Sequence, residues 1–261
     1  GTYFLELEPR CYAIFDDATT VIGMSIHRAY PASVIINNTN LWVTGGLTYG
    51  TSLETLYQSL DSTEVIDAQY KTHTQGPKLP QKLYAHCALS INQKEVMIVG
   101  GYQGETIWDA RATSTTHFYH FDDGWRPGPD MMVPRADLAC TILEAQNGLK
   151  FVVATGGGSG GFVDYEDLKS TEVYSLVENR WFWGPDLPLK LAAHSMVALG
   201  NKVYVIGGVT PGNGLVGITQ SKIYEMDEKM DQWRQMEQKL SVARYYTTVL
   251  VVPDTMVSCL Q

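Results

Sequence analysis

Two glycine-rich segments carry the residue types of enzyme loops. In "GGGSGG" (156–161), Gly157-x-Ser159-x-Gly161 has the spacing of a nucleophile elbow, and Gly156-x-Gly158-x-x-Gly161 has that of a dinucleotide loop. "GNGLVG" (212–217) fits the dinucleotide pattern as well. Both chemistries need a helix directly after the glycines, either to bind phosphate at its N-terminus or to hold a strained serine. Here the glycines lead into further strand-like sequence, so they are expected to be turn residues. His117 and His120 have a ligand-like spacing, but on a strand residues i and i+3 face opposite sides. His86 and His194 share one place in two different repeats and read as inner-strand histidines. "DYED" (164–167) offers carboxylates to a cation, yet four residues do not make a calcium cage. No catalytic set, metal site or cofactor is expected.

What must position these residues is a repeat. Four apolar runs close on Gly-Gly, "LWVTGG" (41–46), "EVMIVGG" (95–101), "KFVVATGG" (150–157) and "KVYVIGG" (202–208). The pairs begin at Gly45, Gly100, Gly156 and Gly207, spaced by 55, 56 and 51 residues. A basic residue precedes each period, at Arg28, Lys82, Arg135, Lys190 and Arg244, spaced by 54, 53, 55 and 54. Trp125, Trp181 and Trp233 recur near "GP" turns or their equivalents, with His73 at the matching place. "STEV" occurs at 62–65 and again at 170–173, echoed by "STTHFY" (114–119) and "SKIYEM" (221–226). Within one period, turn signals separate four short runs of β-branched and aromatic residues, and helical periodicity is hard to find.

Four strands in about 50 residues is the signature of a propeller blade, and that period is the kelch period. The chain resembles the kelch-repeat family over nearly its whole length, through Gly-Gly, a Tyr after the long loop, a Trp, and a basic residue before the next blade. Residues 165–208 carry the likeness best. The "GPKLP" and "GPDLP" turns and "AHC" (85–87) resemble invertebrate secreted kelch proteins more than cytosolic adaptors. The resemblance implies an all-β kelch-type β-propeller of four-stranded antiparallel blades. Glycine pairs would serve where backbones approach closely. Tyr119, Tyr174 and Tyr224 would join the tryptophans in filling the space between blades.

The five basic landmarks imply five blades, at about 29–78, 83–130, 136–187, 191–238, and a split closing blade of 239–261 plus 11–25, after an N-terminal extension of 1–10. The closing blade would take "CYAIFD" (11–16), "TTVIGM" (19–24), "YYTTVLVV" (245–252) and "TMVSCL" (255–260) as strands. A fragment of a six-bladed propeller is the alternative, since six is usual for the family. Cys11 and Cys259 would be neighbours in the split blade, where a disulfide would lock the closure. Cys87 and Cys140 occupy one register and are expected to be small buried residues ahead of a disulfide.

The 261-residue chain carries a net charge of −9, which excludes a general nucleic-acid binder. No apolar run reaches the roughly 20 residues that span a bilayer, so membrane insertion is not expected. One glycosylation sequon begins at Asn37. An extracellular protein is expected, with a cytoplasmic one as the alternative.

In a propeller, the loops between second and third strands share a face with the connections between blades. That face would carry Arg28, Lys82, Arg135, Lys190 and Arg244. It would also carry Tyr49, Tyr57, Trp108, Arg111, Phe162 and Tyr165 from the long loops. Arginines would grip an acidic peptide or glycan and aromatics would anchor it. The expected function is therefore a non-catalytic protein- or glycan-binding domain. A kelch-fold enzyme of the copper-radical oxidase or sugar isomerase type, and a structural or cytoskeleton-associated repeat protein, are the alternatives.

Overall fold

The structure is a computed structural model that describes residues 10–15, 18–37, 40–50, 56–67, 70–212 and 217–249, with side chains from residue 24 onward. The described residues form strands and turns and contain no helix. Each apolar run of the sequence becomes an inner strand of a four-stranded antiparallel sheet whose strands follow chain order. The first sheet joins Ala32–Ile36, Asn40–Thr44, Thr63–Asp67 and Thr72–Gln75. The second joins Cys87–Asn92, Glu95–Val99, Thr116–His120 and Gly124–Pro127. The third joins Ala139–Glu144, Lys150–Thr155, Thr171–Ser175 and Arg180–Trp183. The fourth joins Ser195–Leu199, Lys202–Ile206, Lys222–Asp227 and Arg234–Lys239. Arg10–Phe15 and Ala18–Gly23 pair as a separate antiparallel hairpin.

The chain divides into two compact units. One holds Gly1–Ala136 with Gly158–Glu166, and the other holds Asp137–Gly157 with Asp167–Gln261. In the first unit, Trp42 of the first sheet packs against Tyr119 and Trp125 of the second, with ring centroids 5.1 and 5.9 Å away. Leu79 and Leu83 close this core with Val96 and Ile98. In the second unit, Leu187 and Leu191 take the corresponding places, packed with Val203, Val205, Tyr224 and Trp233. The "GPKLP" and "GPDLP" turns thus exist to drop a leucine between sheets. Tryptophan fixes each turn: Trp125 Nε1 donates to the Lys78 carbonyl at 2.7 Å, and Trp233 Nε1 to the Pro185 carbonyl at 3.1 Å.

The glycine pairs wrap the carbonyl of an incoming chain. The second glycine of each pair donates its N–H to that oxygen: Gly46 to Leu83, Gly101 to Arg135, Gly157 to Leu191 and Gly208 to Arg244, at 2.7–2.9 Å. A Cβ on Gly156 would collide with the Leu191 carbonyl, and its φ of +56° lies in the left-handed region. The same connections hold a left-handed non-glycine residue in every repeat: Tyr30, Ala85, Asp137, Ala193 and Tyr246, with φ between 50° and 53°. Three of their N–H groups donate to another member of the set, Ala85 to Tyr30, Ala193 to Asp137 and Tyr246 to Ala193.

Three expectations change. No strand forms over 245–249, because Tyr246 is left-handed and turns the chain instead. Cys87 and Cys140 are each disulfide-bonded rather than free buried thiols. The five basic landmarks are not one set. The carbonyls that receive the glycine N–H belong to Leu83, Arg135, Leu191 and Arg244, so Lys82 and Lys190 stand one residue out of register. The expected Cys11–Cys259 bridge, and the closing strands beyond residue 249, fall outside the described residues.

Candidate functional site

Arg28 is the clearest case of a basic landmark with a structural job. Its Nη2 lies 2.9 Å from Glu64 Oε1, and its Nη1 donates to the carbonyls of Gly45 and Ser62. Its side chain is 0% exposed. Ser62 and Glu64 belong to the first "STEV" motif. Burial opposes ionisation of Glu64, but the Ser25 N–H and Arg28 together hold its carboxyl below its ordinary range. Arg135 is likewise fully buried. Neither arginine is available to a ligand, which removes both from the expected binding ring. Lys82 is partly exposed and pairs with Glu105. Lys190 and Arg244 are exposed.

The long loops of the first unit make a different site. Between Gly104 and Arg111 the chain turns tightly around Asp109. Its carboxylate accepts from the N–H groups of Glu105 (3.0 Å) and Thr106 (2.7 Å) and from the Thr106 hydroxyl (2.6 Å). The hydroxyl bond, with the backbone ones, lowers the carboxyl to about 2, so Asp109 is ionised at any physiological pH. This turn presents Trp108, which is 50% exposed. Asp164 does similar work in the third long loop, accepting from Gly161 N–H at 2.9 Å. It also pairs with Arg111 Nη2 at 2.5 Å, and that guanidinium holds the Asp164 carboxyl below its usual range. The two loops are joined by backbone as well, Ala112 N–H donating to Gly160 O at 2.7 Å.

This clamp brings Trp108 and Phe162 together edge to face, with centroids 4.9 Å apart and planes at 74°. Phe162 is 67% exposed. Phe162 also walls a cavity of about 280 Å³, together with Tyr84, Tyr102, Ile107 and Tyr165, with Gly161 in its lining. Tyr84 and Tyr102 stack 5.0 Å apart. Tyr165 packs against Gly158, where a Cβ would strike its ring. Thus Gly158 and Gly160, the third and fourth glycines of "GGGSGG", make room for an aromatic wall and a tight turn.

Of the residues expected to bind, the structure brings Trp108, Arg111, Phe162 and Tyr165 together. Tyr49 lies on a neighbouring loop hairpin against Tyr57, 5.8 Å away. Asn37 is exposed at a turn with φ of 50°. Sequence reasoning missed Tyr84, Tyr102 and Ile107 as walls, and Asp109 and Asp164 as staples. The Thr106-x-x-Asp109 spacing was a usable signal for the first staple. Among the described residues, no group of three or more His, Cys, Asp or Glu is placed to hold a metal ion. His120 pairs instead with Asp123 at 3.1 Å. No helix among them is long and apolar enough to cross a membrane.

Comparison with known proteins agrees with this architecture. The Kelch motif is matched over residues 190–239. Kelch repeat and BTB domain-containing protein 12 of Homo sapiens is 37% identical over 180 residues, covering 67% of this chain and 29% of that protein. Kelch-like protein 15 of Gallus gallus is 29% identical over 137 residues, covering 52% of this chain and 26% of that protein. The chain therefore spans only about a quarter of the length of the curated relatives it matches. Among solved structures, YjhT superposes with a TM-score of 0.73 at 14% identity, covering 92% of this chain and 80% of that one. These relatives are vertebrate Kelch-like proteins, so the likeness to secreted invertebrate kelch proteins finds no support.

Proposed function

We propose, from the premise that this chain carries kelch repeats on a kelch-type β-propeller fold, that it is a non-catalytic protein-binding domain using the long-loop face of its first unit. One observation carries the proposal: Trp108 and Phe162 are held in mutual contact, both half or more exposed, and Phe162 walls an aromatic cavity. Large aromatics fixed by stapled turns lose little entropy when a partner covers them, and they gain contact area at once. The relatives support a protein-binding role only in that they share the repeat. Their own partners are not carried over. A glycan ligand and an extracellular setting find no specific support in the site.

The test is affinity capture with the wild-type chain, Trp108→Ala and Phe162→Ala in parallel. Val177→Ala, at a 73% exposed position of the second unit, serves as a control. Partners lost from both aromatic variants and kept by the control establish the face. Partners retained by all variants place binding elsewhere.

A further inference from the structure

We infer that the cavity walled by Phe162 and Tyr165 receives an arginine side chain from a partner protein, held against its aromatic walls and between acidic loop segments. This rests on the proposal that the long-loop face of the first unit is the binding face, and it fixes the chemistry of what binds there.

The walls come first. Tyr84, Tyr102, Phe162 and Tyr165 surround a cavity of about 280 Å³. Aromatic faces carry negative electrostatic potential and attract a guanidinium laid over them. The chain uses this contact internally: the guanidinium of Arg126 sits 4.0 Å from the centroid of Phe118, and that of Arg180 3.9 Å from Phe182.

The charge around the cavity agrees. The segments that supply Ile107, Ala110, Gly161, Phe162 and Tyr165 are 104–111 and 158–166. They contain Glu105, Asp109, Asp164 and Glu166 against one cation, Arg111. Arg111 already faces Asp164, and the nearby Lys82 already faces Glu105. An incoming carboxylate would have to break these pairs and then sit among the remaining acids. An incoming arginine meets net negative charge and can take the open side of the aromatic walls. The expectation of an acidic ligand, drawn from a ring of basic residues, is therefore reversed at this site: two of that ring are buried and a third is paired with Glu105. A lysine would satisfy the charge but not the flat stacking that a guanidinium makes with a ring.

The experiment selects short random peptides displayed on phage against the full chain, then repeats the selection with Phe162→Ala and with Asp109→Asn. Thermal melts show that each variant is folded. Peptides enriched in arginine are expected, with binding about tenfold weaker for Phe162→Ala and weakened by added salt. Replacing the shared arginine by citrulline, the same shape without charge, should remove binding. Peptides that are acidic or uncharged yet still lost with Phe162→Ala keep the face and overturn the arginine. Peptides indifferent to Phe162→Ala overturn the face itself. A selection that enriches nothing overturns the arginine proposal as well.

Discussion

Arg28 and Glu64 lie 36 positions apart in the chain, yet their charged atoms meet at 2.9 Å with side chains only 0% and 2% exposed. A buried pair of this kind is costly to break, because one charge is then left without its partner. Arg28→Ala should destabilise the protein by about 3–5 kcal/mol. The loss read by urea unfolding decides it: a change below about 1 kcal/mol would show that the pair is not structural.

The two inner histidines set an acid limit. Burial lowers His86 and His194 to about 3, and each ring makes a 2.8 Å hydrogen bond with a threonine hydroxyl, Thr44 and Thr155. Their folded values lie below the unfolded value near 6.5, so the stability they protect is present above that pH and is lost as pH falls toward 3. Each should cost about 2 kcal/mol by pH 5. Melting temperatures measured between pH 7.5 and 5 should fall steeply for wild type. They should fall less for a double variant with glutamine at both positions, and equal slopes would refute the assignment.

Asp137 acts in the opposite sense. Burial raises its carboxyl to about 6, although Tyr246 Oη donates to it at 2.9 Å. Its contribution is greatest below the unfolded value near 3.8 and is lost as pH rises through about 6. Asp137→Asn keeps an acceptor and tolerates the left-handed φ of 53°. It should stabilise the protein at pH 7.5 by about 1–2 kcal/mol and leave pH 4 nearly unchanged. A destabilised variant at pH 7.5 would mean that the ionised carboxylate is the favoured form.

Two glycines separate backbone strain from collision. Gly148 has a φ of 79° and open space around its Cα, whereas Gly156 has both a positive φ and the Leu191 carbonyl in the way. Gly148→Ala should cost about 1 kcal/mol and Gly156→Ala at least about 3 kcal/mol. Chemical denaturation of the two variants side by side tests the difference, and equal losses would remove the collision from the account.

Trp108→Ala should leave stability within about 1 kcal/mol of wild type, the worth of its edge-to-face contact with Phe162. A loss of several kcal/mol in calorimetry would make the ring part of the core and remove it from the binding face.

The amino-acid sequence alone determined the repeat and the four-stranded sheet. Both follow from local demands that recur every period. A backbone wrapped around a carbonyl accepts only glycine, as at Gly45, Gly156 and Gly207. A gap between sheets calls for Trp42, Tyr224 or Trp233. The meaning of the charged residues was not legible. Arg28 and Arg111 look alike in sequence, but one ends in the interior against Glu64 and the other at the surface against Asp164. What separates them is which carboxylate the fold carries to within a few ångströms, over 36 and 53 positions of chain. The aromatic cavity was hidden for the same reason. Its walls come from three segments, around Tyr84, Tyr102 and Phe162, and a wall becomes visible only when all three stand together. Tertiary structure therefore decided the site, because electrostatic and cavity-forming partners are chosen by proximity in space, whereas strand, turn and glycine are chosen by the chain's immediate neighbourhood.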